Sequence, residues 1–198
     1  MPEVERVTVV GLPGMGKTVW CQEYARPYVQ ERLGVLVVDP IRSLNIRHAT
    51  IFHTHKTTPT DEVEMLLKKA CVDPYKLGIP LAKRYRLLIL DEASRYYPHG
   101  QPLPEQIGYI NDFNRHMDLT LVSVSRRMTQ IATDLPELSH RLIIYTQKGI
   151  NDIKRLNDIQ TGLGDMVETL KKHEYIELTP DREILVQKPL DFKKASRL

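Results

Sequence analysis

The stretch Val7-Thr8-Val9-Val10-Gly11-Leu12-Pro13-Gly14-Met15-Gly16-Lys17-Thr18 decides the fold. Its first four residues are a β-branched run of the kind that forms a strand. The next eight match the P-loop spacing GxxxxGK[ST], and Val19 to Ala25 suits a helix. Strand, glycine-rich turn and helix together make a phosphate cradle. The glycines let the backbone turn its N–H groups inward around phosphate oxygens. The helix start adds free N–H groups and the positive end of its dipole. Lys17 is placed to reach β- and γ-phosphates, and Thr18 to offer its hydroxyl to Mg²⁺. The candidate nucleotide-binding set is Gly11, Leu12, Pro13, Gly14, Met15, Gly16, Lys17, Thr18 and Val19.

A second anchor lies downstream. Leu87-Leu88-Ile89-Leu90 runs into Asp91-Glu92, the Walker B pattern of an apolar strand ending in two carboxylates. Asp91 leaves the strand end, where it can hold Mg²⁺ directly or through water, and Glu92 is placed to polarise an attacking water. Adjacent acids at a strand end mean little alone, because turns are rich in Asp. Paired with a P-loop they point to an ATPase rather than a kinase, which need not activate water.

Composition sets outer bounds. At 198 residues the chain is expected to form one domain over 1–198, with a core large enough to fold alone. Hydrophobic residues at 41% and charged residues at 27% fit an ordinary globular protein. No apolar run reaches the roughly 18 residues of a membrane-spanning helix. Met1 to Arg6 do not read as a secretory signal. Cys21 and Cys71 are too few for a disulfide framework and read as reduced, buried fillers. A net charge of +3 permits nucleic-acid binding without establishing it. Local basic groups occur at Lys68-Lys69, Lys83-Arg84 with Arg86, Arg126-Arg127, Lys171-Lys172, and Lys193-Lys194 with Arg197. Each also reads as a solvated face.

Between the anchors the chain alternates strands and helices. The first helix is expected to run to about Gln30, with Pro27 kinking or stopping it near Arg26. Val35 to Val38 is a fully apolar strand closed by Asp39-Pro40, completing a βαβ unit. Ala49 to His53 reads as a short strand. His48, His53 and His55 cluster there, with no cysteine or carboxylate nearby to complete a metal set. Thr58-Pro59-Thr60-Asp61 opens a helix whose apolar face is Val63, Leu66, Leu67 and Ala70, and Asp73-Pro74 is expected to close it. Residues 104 to 117 read as a helix with Ile107, Ile110 and Phe113 inward. Leu119 to Val124 is a strand ending at Ser125-Arg126-Arg127, so Ser125 or Arg126 is a candidate γ-phosphate sensor. Arg141 to Tyr145 is the fifth core strand. Two short helices follow, broken at Gly162 and Gly164, the second over 165–172. A hairpin around Pro180-Asp181 comes next, and then a basic tail at 188–198 that is expected to be mobile. The expected fold is α/β: a RecA-like P-loop core with a mostly parallel five-stranded sheet, flanking helices and a small C-terminal hairpin.

With those elements placed, the chain resembles the HerA/FtsK superfamily of DNA-pumping ATPases. It is most similar to the genome-packaging ATPases of membrane-containing icosahedral double-stranded DNA viruses. Asp91-Glu92-Ala93-Ser94-Arg95-Tyr96-Tyr97-Pro98 resembles that superfamily's stretch after Walker B, and the later elements through Lys188-Pro189 follow the same order. The resemblance implies ATP and Mg²⁺ as cofactors, double-stranded DNA as partner, and a homo-oligomeric ring, commonly a hexamer. In such a ring one subunit's arginine completes the next subunit's site. Arg84 and Arg86 are the first candidates for that arginine, ahead of Arg47 and Arg141. It also implies contacts with capsid or viral membrane proteins, action in the host cytoplasm during assembly, and association with a packaging vertex of the virion. Relatives commonly place Gln or Asn as the sensor where this chain has Arg126. The expected catalytic set is Glu92, Lys17, Arg126, Arg84 and Arg86, with Thr18 and Asp91 as metal ligands.

Three other readings remain open on sequence. One is a phage-assembly ATPase of the zonula-occludens-toxin type, which usually carries a transmembrane segment. Another is a small-molecule kinase, stimulated by a metabolite rather than by DNA. The third is an adaptor that binds nucleotide to set its assembly state and does not hydrolyse it.

Overall fold

The computed structural model describes residues 2–55 and 59–191. β1 (Arg6–Val10) passes through the glycine-rich turn into α1 (Lys17–Gln30) and returns as β2 (Gly34–Val38). β3 (Thr50–Phe52) follows. α2 (Pro59–Leu67) widens into a π-helical turn at Lys68–Val72 and continues as α3 (Asp73–Lys76). The second half comprises β4 (Tyr85–Leu90), α4 (Glu105–Phe113), β5 (Thr120–Ser125), α5 (Asp134–Glu137) and β6 (Arg141–Tyr145). It closes with α6 (Ile150–Ile159), α7 (Leu163–Thr169), β7 (Tyr175–Leu178) and β8 (Ile184–Gln187).

One sheet holds all the strands among the described residues, in the order β3-β2-β4-β5-β1-β6-β7-β8. The first six are parallel, and β7 and β8 add on antiparallel. The expected five-stranded sheet is therefore eight-stranded. The five expected core strands are present, three-residue β3 lengthens one edge, and the hairpin joins the other edge at β6 instead of standing apart. Ile176 and Leu178 of the hairpin bury against Leu142, Ile144, Leu156 and Leu163, which explains the attachment.

Strand alternation divides the core between the two faces. Leu36, Val38, Leu88, Leu90 and Leu121 face α2 and α4, meeting Val63, Leu67, Ile107 and Ile110. Val35, Val37, Leu87, Ile89 and Val122 face α1, meeting Trp20, Cys21, Ala25 and Tyr28. With both faces covered, these strands are near-continuous apolar runs, as parallel strands are.

Several local expectations are corrected. Pro27 does not stop α1: its carbonyl still accepts from Glu31 N–H at 3.0 Å, and only its own missing donor is lost. Asp73-Pro74 does not close the helical run. The π turn places the Asp73 N–H on Lys68 O, so Pro74 falls at the start of α3, where no donor is needed, and the backbone turns off at Gly78 (φ 67°). Helix 104–117 is shorter, ending at Phe113. Phe113 is 43% exposed and packs on Tyr109, while Asn114 and Met117 take the inward positions. Gly164 lies inside α7, where α6 packs so closely that a Cβ would strike Ile153 O; Gly162 caps the helix, which ends at Thr169. The Thr58 cap and the tail residues Lys193, Lys194 and Arg197 lie outside the described residues. No helix among the described residues is long and apolar enough to cross a membrane.

Candidate nucleotide-binding and hydrolysis site

Parallel strands bring their C-terminal ends to one rim, the usual place for a ligand in such sheets. Here that rim collects Gly11 after β1, Asp39 after β2, Asp91 after β4, Arg126 after β5 and Thr146-Gln147 after β6. The loop ends are hydrogen-bonded across the sheet. Gly11 N–H donates to Ser125 O and Leu12 N–H to Thr146 O, both at 3.3 Å, and Asp91 N–H donates to Val38 O at 2.9 Å.

The glycine-rich loop is tightly seated. Gly14 and Gly16 take positive φ, 76° and 115°, which only glycine adopts cheaply. Gly11 is held for a different reason: a Cβ there would run into Tyr145 Cβ. Lys17 Nζ donates to Gly11 O at 2.5 Å and Leu12 O at 3.2 Å. Burial lowers the Lys17 pKa, and the nearby Glu92 and Asp91 carboxylates oppose that shift. The lysine of one motif thus lies in the field of the acids of the other.

The acids are crowded. Burial, then the charges of Glu92 and Asp39, raise the Asp91 pKa to about 6, against a hydrogen bond from Ser43 Oγ at 3.1 Å. Asp39, fully buried, accepts from Ile41 N–H at 3.1 Å and Leu44 N–H at 2.8 Å, shaping the loop that carries Ser43. Asp91 and the Thr18 hydroxyl are hard oxygen donors of the kind Mg²⁺ takes, and accumulated negative charge favours a cation. Glu92 sits in the left-handed region (φ 51°), a strain of about 1 kcal/mol for a non-glycine residue.

Arg126 Nε donates to Glu92 Oε1 at 2.8 Å, so the candidate sensor directly contacts the candidate water-orienting carboxylate. Ser125 Oγ donates instead to Arg127 O at 3.1 Å, and Arg127 is drawn to Asp152 on α6 at 2.8 Å. Buried Gln147 donates to Arg126 O at 3.1 Å, and its Oε1 has no partner. Arg84 and Arg86 are not brought to this rim. They flank the start of β4, whose other end carries Asp91. Arg86 is buried, its Nε donating to Asp118 O at 2.7 Å, which corrects its reading as a projecting finger. Arg84 lies over the Tyr75 ring at 5.7 Å. Arg141 is tied to Glu5 and Glu177.

Two hollows open near this rim, one of them against the loop. An open cleft of about 710 Å³ on the acid side is lined by Glu92, Ser94, Arg95, Arg126, Thr129 and Gln130, among others. A second, of about 350 Å³, lies between Gly14–Val19 and Tyr145, His173 and Leu190. Sequence reasoning missed Asp39, Ser43, Tyr145, His173 and Leu190. Asp39-Pro40 carries a signal, but it reads as a turn; the others carry none. The histidine cluster is dispersed: His53 Nδ1 lies 2.7 Å from Asp39 O, and His55 pairs with Glu62. Among the described residues, no group of three or more His, Cys, Asp or Glu side chains is arranged to hold a metal.

No protein-family model and no curated protein matches the sequence. Solved structures do match. The DNA-packaging ATPase B204 from Sulfolobus turreted icosahedral virus aligns at TM-score 0.80 over 96% of this chain and 100% of that one, with 18% identity. The genome-packaging NTPase B204 from Sulfolobus turreted icosahedral virus 2, in complex with ATP-gammaS, aligns at 0.78 over 94% and 98%, with 17% identity. The N-terminal domain of zonular occludens toxin from Neisseria meningitidis aligns at 0.53 over 99% of both chains, with 16% identity. At these identities the likeness is one of fold, an α/β P-loop core with a mixed sheet, and it extends over nearly the whole chain.

Proposed function

We propose that the chain is an ATP-hydrolysing motor that translocates double-stranded DNA and packages a viral genome into a preformed capsid. The observation that carries this reading is the gathering of the P-loop lysine and the two Walker B acids at one rim, within a fold that matches B204 end to end. The whole described chain then acts as one ATPase domain.

The loop N–H groups and Lys17 bind the phosphates. Thr18 and Asp91 would hold Mg²⁺, which would supply positive charge to neutralise the phosphates. Glu92 orients a water in line with the γ-phosphate. Arg126, beside Glu92, fixes that carboxylate, and a guanidinium there also offsets charge developing on the transferred group. DNA-backbone contacts are independent of sequence, which suits a motor that must move any genome. A ring of identical subunits, contacts with capsid or viral membrane proteins, and work in the host cytoplasm at a packaging vertex belong to the same proposal. The assembly-ATPase alternative is weaker on fold, at TM-score 0.53 against 0.80.

The test is nucleotide binding and turnover in two variants. Lys17→Ala is expected to lose ATP binding. Glu92→Gln is expected to keep binding and lose turnover by on the order of 10²-fold or more. Full binding in Lys17→Ala, or full turnover in Glu92→Gln, would overturn the site.

A further inference from the structure

The end of the sheet opposite the nucleotide rim carries an exposed apolar turn that the phosphate chemistry does not use. After α3 the chain runs Lys76-Leu77-Gly78-Ile79-Pro80-Leu81-Ala82-Lys83-Arg84 into the start of β4. Leu77 is 76% exposed at the turn, and Ile79 is 37% exposed. The turn is held by its own backbone. Leu77 N–H donates to Asp73 O at 2.8 Å, Gly78 N–H to Tyr75 O at 3.0 Å and Ile79 N–H to Pro74 O at 2.9 Å. Pro80 has no N–H to satisfy. These apolar side chains therefore project from a backbone whose donors are already used, so the turn can leave water without orphaning them.

A row of rings stands beside the turn. Tyr75 lies 6.4 Å from Tyr109, Tyr109 lies 4.7 Å from Phe113, and Phe113 lies 6.2 Å from His116. Phe113 and His116 are exposed. Lys76 Nζ stands 4.4 Å from the centre of the Tyr109 ring, as Arg84 does over Tyr75. A ring attracts a cation but does not cancel its charge. The segment from Asp73 to Arg84 holds three cations and one carboxylate. Among the described residues, no carboxylate lies within ion-pair distance of Lys76, Lys83 or Arg84.

We infer that this patch docks the protein on an anionic lipid bilayer. Leu77 and Ile79 enter the boundary between headgroups and chains, the rings lie at headgroup level, and Lys76, Lys83 and Arg84 meet acidic headgroups. It is the bilayer itself that is engaged, not a protein within it, and the contact does not depend on the nucleotide reading. Apolar burial together with unpaired basic charge is what interfacial binding requires. Aromatic rings suit the headgroup level, and lysine stems can lie along apolar surface while their ammonium groups stay in water. A projecting turn needs a partner that yields around it, as a fluid bilayer does. Nucleic-acid phosphates would account for the cations but not for Leu77. Docking at this end leaves Lys17, Asp91 and Glu92 free at the other.

The experiment floats the full chain with vesicles of phosphatidylcholine alone, and of phosphatidylcholine mixed with phosphatidylglycerol. It is repeated for Leu77→Ser and for Lys76→Ala combined with Lys83→Ala, with melting temperature as the folding check. The unsubstituted protein is expected to bind the mixed vesicles, and to bind the neutral ones more weakly by roughly tenfold or more. Leu77→Ser, which changes no charge, is expected to lose roughly tenfold in affinity for the mixed vesicles. The double lysine variant is expected to lose roughly tenfold or more. Both should melt as the unsubstituted protein does. No binding to the mixed vesicles overturns the inference. So does equal binding to neutral vesicles, or unchanged binding in either variant. Loss of affinity for double-stranded DNA, and not for vesicles, in the lysine variant makes this a nucleic-acid surface and overturns it as well.

Discussion

Asp91→Asn is expected to raise the thermal stability of the metal-free protein while ending hydrolysis. The Asp91 pKa stands at about 6 against an ordinary 3.8, because burial and then the Glu92 and Asp39 charges disfavour its ionised form. The folded protein thus holds this proton more tightly than the unfolded chain does. The group's stabilising contribution is full below the ordinary value and is lost as pH rises through about 6. At about 1.36 kcal/mol for each tenfold change in proton affinity, ionised Asp91 costs roughly 3 kcal/mol above that pH. Asparagine keeps the shape and can still accept from Ser43 Oγ, but carries no charge. For a domain of this size about 1 kcal/mol moves Tm by roughly 2–4 °C, so the variant should melt roughly 6–12 °C higher at about pH 8 in chelator. At about pH 4 the gain should fall to roughly 0.5 kcal/mol, because Asp91 is then protonated in the folded state and roughly half protonated in the unfolded chain. Melting followed by circular dichroism at both pH values tests this. An unchanged or lower Tm near pH 8, or the same gain at both pH values, would refute the charge-crowding argument.

If Glu92 orients water as proposed, Arg126→Gln, which removes its ion pair, is expected to lower kcat by on the order of tenfold or more with KM for ATP little changed. Steady-state kinetics separates the two, and an equal rise in KM would make Arg126 a binding residue instead. Gly11→Ala drives a Cβ into Tyr145, and overpacking of this kind costs about 1–3 kcal/mol, read as a lower Tm. Gly14→Ala meets open space and carries only the positive-φ cost of about 1–2 kcal/mol, so Gly11→Ala should be the less stable of the two.

Both anchors were legible because their chemistry is local. A P-loop and an apolar strand ending in two acids each occupy one short window, and a parallel sheet brings such strand ends to one rim. Asp39 was read as a turn because Asp-Pro usually is one; only the placement of β2 beside β4 makes it a neighbour of Asp91. Tyr145, His173 and Leu190 stand more than 120 residues beyond the loop they flank, and no local pattern marks them. Arg86 looked like part of a basic surface, but a partner 32 residues on accounts for its burial. β3 is only three residues long and begins exposed, so its membership depends on β2 offering a free edge. The hairpin was visible in its own alternation, whereas its docking on β6 depends on apolar side chains from α6 and α7.

The most direct test of the motor is steady-state ATP hydrolysis with and without long double-stranded DNA, across protein concentration, with mass measured by light scattering on the same samples. The account predicts turnover that rises with both DNA and assembly. Turnover indifferent to DNA, in a protein that stays monomeric at every concentration, would contradict it.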